Sequence, residues 1–293
     1  MKIVRKADEL REALEGLSGA RGFVPTMGAL HAGHEHLMAE SRARDGHLVA
    51  SIFVNPKQFG PSEDWSRYPR PFEADAARCE RVGVDVLFAP EVETVYPPDF
   101  STAIRVQAPW VDRWCGASRP GHFDGVTTVL TRLFGLVRPD RAYFGQKDFQ
   151  QWRVVSRLAA DLAGPEIIRV PTVREPDGLA LSSRNIYLSP GDRLTARALS
   201  RSLARLLTAA REALPVNEIL AAERARLLAT PGLTLEYLEV VGVDDLAPVA
   251  SFGADQVALV AARVGAARLI DNALMDPTGP DFGLLAYLEE TDS

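Results

Sequence analysis

Lysine, cysteine and long apolar runs are all scarce in this sequence of 293 residues. Of 33 basic residues only Lys2, Lys6, Lys57 and Lys147 are lysines, so an internal lysine in this arginine-rich chain invites an explanation. Two cysteines, Cys79 and Cys115, are too few for a disulfide framework or a four-thiolate metal site. No apolar run approaches the ~18 residues of a membrane span. The opening MKIVRKADEL carries charges where a secretory segment would be apolar, which predicts no signal peptide and a cytoplasmic protein. A composition of 46% hydrophobic and 25% charged residues excludes wholesale disorder and collagen-like repeats. The net charge of −6 argues against a large nucleic-acid surface.

The length is that of about two domains, at roughly 100–200 residues each. Residues 7–16 have the apolar spacing of a helix, and GFVPT (22–26) reads as a short buried strand. A helix over 34–46, a strand over 47–55, a helix over 72–83 and a strand over 84–90 follow. Helix 126–137, strand 141–145, helix 148–162 and strand 166–173 complete the first half. This alternation predicts a doubly wound parallel α/β sheet. The second half changes character. A long Ala/Leu/Arg helix (192–214) and a shorter one (217–229) precede strands at 233–241, 256–264 and 267–272. That is a smaller α+β C-terminal domain, and the division is expected near Arg174, giving 1–174 and 175–293.

Three of the five histidines, His31, His34 and His36, fall within six residues. In a parallel sheet, ligands bind at the carboxyl ends of strands, where free N–H groups and the helix dipole favour anions. His31-Ala-Gly-His34 stands at such a strand-to-helix turn, with Gly28 and Gly33 removing Cβ atoms from the path of a phosphate. Two imidazoles three residues apart can donate to the oxygens of a phosphorus centre as charge develops on it. The same spacing suits an ordinary helix start or a metal pair, although no further Cys/His cluster offers the remaining ligands for zinc. Lys147, at the end of a predicted strand, is a compact cation suited to a phosphate or carboxylate oxygen. Ser182-Ser183-Arg184 has the hydroxyls and guanidinium of a pyrophosphate clamp, and equally of a helix-capping turn.

Seven segments carry a resemblance to one family: PTMGALHAGH (25–34), SIFVNPKQFGPSEDWSRYPR (51–70), VDVLFAPEVETVYP (84–97), RPGHFDGVTTV (119–129), YFGQKDFQQ (143–151), REPDGLALSSRN (174–185) and IDNALM (270–275). In that order and spacing the chain resembles the pantoate–β-alanine ligases, within the nucleotidyltransferase superfamily. The resemblance implies a Rossmann-like first domain, a lid-like second domain, a homodimer formed through the first domain near SIFVN, and no nucleic-acid or membrane partner. It implies that ATP, pantoate and β-alanine are the substrates and that a pantoyl adenylate is the intermediate. It assigns catalysis to His31, His34, Lys147, Ser182, Ser183 and Arg184, and pantoate binding to Pro25, Met27, Gln58, Gln151, Asn55 and Tyr68. Pro25 and Met27 line the first turn, where backbone N–H groups are presented. Gly33, Gly145 and Asp148 hold ATP, and Asp75 helps to hold Mg²⁺ on the phosphates. Glu35, His36 and Leu181 depart from the family pattern, which leads one to expect apolar or mixed residues at the first two and Met at the third.

Overall fold

A computed structural model describes residues 1–60, 65–276 and 278–289; part of the SIFVN–YPR motif, residues 61–64, lies outside them. In chain order the strands are β1 (Lys2–Val4), β2 (Arg21–Thr26), β3 (His47–Ile52), β4 (Val86–Phe88), β5 (Arg141–Gly145), β6 (Glu166–Val170), β7 (Leu233–Gly242), β8 (Gln256–Val264) and β9 (Ala267–Leu274). The α-helices are α1 (Ala7–Glu15), α2 (Ala32–Arg44), α3 (Phe72–Val82), α4 (Val92–Val95), α5 (Cys115–Ser118), α6 (His122–Val137), α7 (Phe149–Asp161), α8 (Pro190–Arg211), α9 (Val216–Leu228) and α10 (Ala286–Glu289).

Two compact units divide the chain: residues 1–145 with 149–170, and residues 146–148 with 171–293. The division falls four residues before the expected one. It also moves Gln146–Asp148 into the second unit, because Gln146 bonds to Asn272 and Asp281.

The first unit is a six-stranded sheet of order β1-β4-β3-β2-β5-β6, parallel at every pairing. Helices join successive strands, as the alternation of patterns requires. Strand β1 escapes the sequence pattern; at three residues it is too short to show a period. After it, strand order runs outward from β2 on one side and from β5 on the other, so the topological switch lies between these two neighbours. Pro25 explains why the sheet opens there. Strand β2 pairs with β3 as far as Thr26↔Ile52, but with β5 only through Gly22↔Arg141 and Phe23↔Ala142. A proline has no N–H for a ladder, and Pro25 stands where β5 has already parted from β2. Val24, Met38, Leu48, Leu87 and Tyr143, all fully buried, belong to one core cluster of this unit.

The second unit packs α8 and α9 on an antiparallel sheet β7-β8-β9. Leu199, Leu203, Leu206 and Leu207 of α8 form the buried stripe, meeting Ala258, Val260 and Ala262 of β8. A helical period of apolar residues against a small-residue strand face is what places this helix.

Candidate active site

The turn after β2 is held by the sequence's own polar groups. Thr26 Oγ1 donates to Ser51 O at 2.7 Å and accepts from Gly28 N. Gly28 and Ala29 both have positive φ, +84° and +52°. For an alanine that backbone is strained by about 1 kcal/mol or more. The conformation persists because Asp75, on α3 and 1% exposed, accepts from Ala29 N and Leu30 N, each at 2.8 Å. These bonds give each Asp75 oxygen one main-chain N–H partner. Both of its oxygens brace the turn, and among the described residues no group of three His, Cys, Asp or Glu is arranged to hold a metal.

The brace delivers the chain to α2, which begins at Ala32 rather than at His34, because His31 caps it. His31 Nδ1 accepts from Gly33 N at 3.1 Å, and His34 Nδ1 accepts from His31 N at 3.3 Å. A capping box normally uses Ser or Thr with Glu or Gln; here two imidazoles take those places, with ring centroids 4.1 Å apart. The tautomers follow from these bonds. With Nδ1 accepting in both rings, each neutral imidazole carries its proton on Nε2. The box thus makes both histidines Nε2–H donors at a helix N-terminus, where anions are favoured. Gly33 has a local reason to lack a side chain: a Cβ there would sit 2.9 Å from His31 Cε1.

Asn55, Gln58, Tyr68 and Gln151 all belong to the first unit. Asn55, buried after β3, donates through Nδ2 to Gln58 Oε1 and Gly125 O, both at 3.1 Å. Its Oδ1 accepts from Tyr96 OH at 2.9 Å. Tyr68 packs edge-on against Phe59, with ring centroids 5.9 Å apart. Gln151 is half-buried on α7, and its neighbour Gln150 is fixed as a brace for residues 110–115 through the carbonyls of Trp110 and Arg113. Pro25 presents no N–H, so at the first turn it can offer only its carbonyl and ring. Sequence reasoning gave no role to Arg119 and His122, which meet Gln58 O.

Gly145 ends β5, and the 3₁₀ turn Gln146–Asp148 that follows it carries Lys147 and belongs to the second unit. Asn272 clamps this turn, its Nδ2 donating to Gln146 O and Lys147 O, each at 2.9 Å. Asp281 accepts from Gln146 Nε2 at 2.6 Å and from Leu274 N at 2.8 Å. Burial holds the Asp281 carboxyl above the usual carboxylate range despite these donors and nearby Arg174. The half-buried Lys147 ammonium lies 3.7 Å from the Asp148 carboxylate. Arg174 binds Asp271 through two bonds of 2.7 and 3.0 Å, with side chains only 9% and 4% exposed. The IDNALM motif therefore carries two anchors, Asp271 for the 174–185 loop and Asn272 for the lysine turn. Within that loop Ser182 Oγ accepts from Arg184 N at 3.2 Å, so it does cap the short turn Ser183–Tyr187. The Arg184 side chain has no hydrogen bond or ion pair among the described residues. Leu181 N donates to Val173 O, a main-chain contact that does not require Met.

Glu35 is explained by its neighbours. Burial raises its pKa, but bonds from Arg81 and Arg78 on α3, at 2.6 and 2.8 Å, bring it below the ordinary glutamate value. Nothing in the described contacts explains His36.

A strand order reversing between β2 and β5, with a histidine-capped helix at the carboxyl end of β2, defines a nucleotide-binding α/β enzyme of the H-x-G-H type. The family model for pantoate-beta-alanine ligase matches residues 2–274, and the chain belongs to that family. Pantothenate synthetase of Thermus thermophilus is 49% identical over 280 residues, covering 94% of this chain and all of the relative. The crystal structure of that enzyme superposes with a TM-score of 0.90. A pantoate-beta-alanine ligase from Francisella tularensis, crystallised with beta-gamma ATP and beta-alanine, is 31% identical with a TM-score of 0.77, covering 96% of this chain and 99% of that one.

Proposed function

We propose that the chain joins pantoate to β-alanine at the expense of ATP, giving pantothenate, AMP and pyrophosphate. A pantoate carboxylate oxygen attacks the α-phosphorus; a P–O bond forms and the bond to pyrophosphate breaks, leaving pantoyl adenylate. The β-alanine amine then attacks the acyl carbon. A C–N bond forms, the C–O bond to AMP breaks, and the amine proton passes to water. Such a reaction needs positioning and charge neutralisation rather than a covalent nucleophile.

His31 and His34 donate from Nε2 to the α-phosphate oxygens. Lys147 neutralises phosphate and pantoate carboxylate, while Ser182, Ser183 and Arg184 hold the departing pyrophosphate. Gln58 and Gln151 grip pantoate beside Asn55, Tyr68, Pro25 and Met27. Gly33 lets the triphosphate approach the α2 N-terminus, and Gly145 and Asp148 take the ribose. Magnesium would arrive on the triphosphate, held chiefly by phosphate oxygens and water, with Asp75 as the carboxylate that would help to hold it; among the described residues no group of three His, Cys, Asp or Glu forms a cage of its own. A homodimer and a cytoplasmic location complete the proposal. Among the described residues no helix is long and apolar enough to cross a membrane.

The observation that supports this reading best is the capping box, because its two Nδ1 acceptors leave both histidines with the donor that an α-phosphate requires. The test is exchange of labelled pyrophosphate into ATP. Exchange should require pantoate, and AMP should appear when β-alanine is added. Exchange that ignores pantoate would overturn the reading.

A further inference from the structure

Gln58 ends a 3₁₀ turn, Pro56–Gln58, that is poorly able to hold it. The turn's own bonds, Gln58 N to Asn55 O and Phe59 N to Pro56 O, are long at 3.5 and 3.4 Å. Its position must be set from outside. The Gln58 carbonyl accepts from His122 Nδ1 at 2.9 Å and from Arg119 Nη2 at 3.3 Å. Arg119 Nη1 in turn lies 2.9 Å from His122 Nε2.

These three contacts admit one protonation state. A carbonyl only accepts, so His122 Nδ1 carries the proton. A guanidinium only donates, so His122 Nε2 offers its lone pair. His122 is therefore a neutral imidazole of the opposite tautomer to His31 and His34, and it is 7% exposed. The Arg119 fork spans the ring and the carbonyl at once, which a lysine cannot do.

The side chain of Gln58 is fixed from the same helix. Asn55 Nδ2 donates to Gln58 Oε1 and to Gly125 O in the first turn of α6. Both the main chain and the amide oxygen of Gln58 are thus tied to α6. Its amide nitrogen takes no partner among the described residues.

We propose that Arg119 and His122 are positioning residues for acid-substrate recognition. They fix the Gln58 main chain so that its Nε2–H₂ is presented to a pantoate oxygen. The inference rests on the reading of Gln58 as a pantoate contact. It predicts a defect confined to that substrate. His122→Ala should raise the KM for pantoate on the order of tenfold, as loss of a buried hydrogen bond does, with the KM for ATP unchanged. His122→Asn keeps a donor near the place of Nδ1 and should recover most of the loss. Arg119→Lys, which keeps the charge and breaks the fork, should fall between them.

A double-mutant cycle decides whether the pair acts through Gln58. In a Gln58→Ala background, His122→Ala should add little to the KM for pantoate. Additive effects, or equal rises in the KM for ATP and pantoate, would overturn the inference. Unchanged pantoate KM in all three variants at Arg119 and His122 would do so as well. If Gln58→Ala itself leaves the KM for pantoate unchanged, the parent reading of Gln58 fails instead. Should His122→Ala not fold, the Asn and Lys variants carry the same test.

Discussion

The turn after β2 and the loop following β6 both carry residues proposed as catalytic, yet they are secured by different physics. The first hangs on a carboxylate that is 1% exposed, and its caps are ring nitrogens locked to main-chain amides. The second has a buried ion pair, Arg174–Asp271, and Leu179 in the core of its unit. Around these, partly exposed ion pairs join Arg193 to Glu175 at 2.6 Å and to Asp177 at 2.7 Å. Beyond Ser182 it exposes Ile186 and Tyr187. Buried bonds keep their strength in salt, whereas exposed pairs are screened. The turn whose histidines are proposed to donate to an α-phosphate is thus built rigidly, while the Ser182–Arg184 segment is tied by its own short turn.

Cutting the loop's buried anchor should have the largest effect. Arg174→Ala leaves Asp271 unpaired in the interior and should cost about 4 kcal/mol in urea unfolding. The double change Arg174→Met with Asp271→Leu should recover much of it; if it recovers nothing, the anchor does more than balance charge.

Asp75→Asn comes next. The amide keeps one acceptor but turns an N–H group toward a main-chain donor, so about 2 kcal/mol should be lost. Pyrophosphate exchange should fall further than stability alone accounts for. Wild-type exchange in a folded Asp75→Asn protein would remove the brace from the account.

Gly33→Ala is smaller in stability but sharper in activity. Alanine favours a helix by about 1 kcal/mol over glycine, so thermal unfolding should hardly change. The new Cβ pushes on the His31 ring, and exchange should drop about tenfold or more.

Arg193→Gln should be the mildest, costing about 1 kcal/mol or less. That cost should shrink as salt is raised from low ionic strength, as measured by melts in increasing NaCl. A salt-independent loss would place these pairs in the same class as Asp75.

Much of this contrast was legible in residues. Strands β5 and β8 end where the apolar runs end; His31 caps α2, Lys147 lies in the turn after β5, and Ser182 precedes the turn Ser183–Tyr187. What escaped was the job of residues that serve through others. Asp75 in a helix looks like any acidic first-turn residue, and only its contact with amides 46 and 45 residues away reveals the brace. His122 lies after Pro120 and Gly121, which suggest a loop, whereas Gly121 at φ +79° begins a helix. Asn272 reaches carbonyls 126 and 125 residues earlier, a distance no local pattern encodes.

One pair of substitutions tests the account at its centre. Asparagine can replace the Nδ1 acceptor of a histidine but not its Nε2–H. His34→Asn should therefore keep the α2 cap and the melting temperature, yet lose pantoate-dependent pyrophosphate exchange by about 100-fold. His34→Gln, which reaches toward the Nε2 position, should retain more. Exchange near the wild-type rate in a folded His34→Asn enzyme would contradict the claim that the fixed Nε2–H group acts on the phosphate.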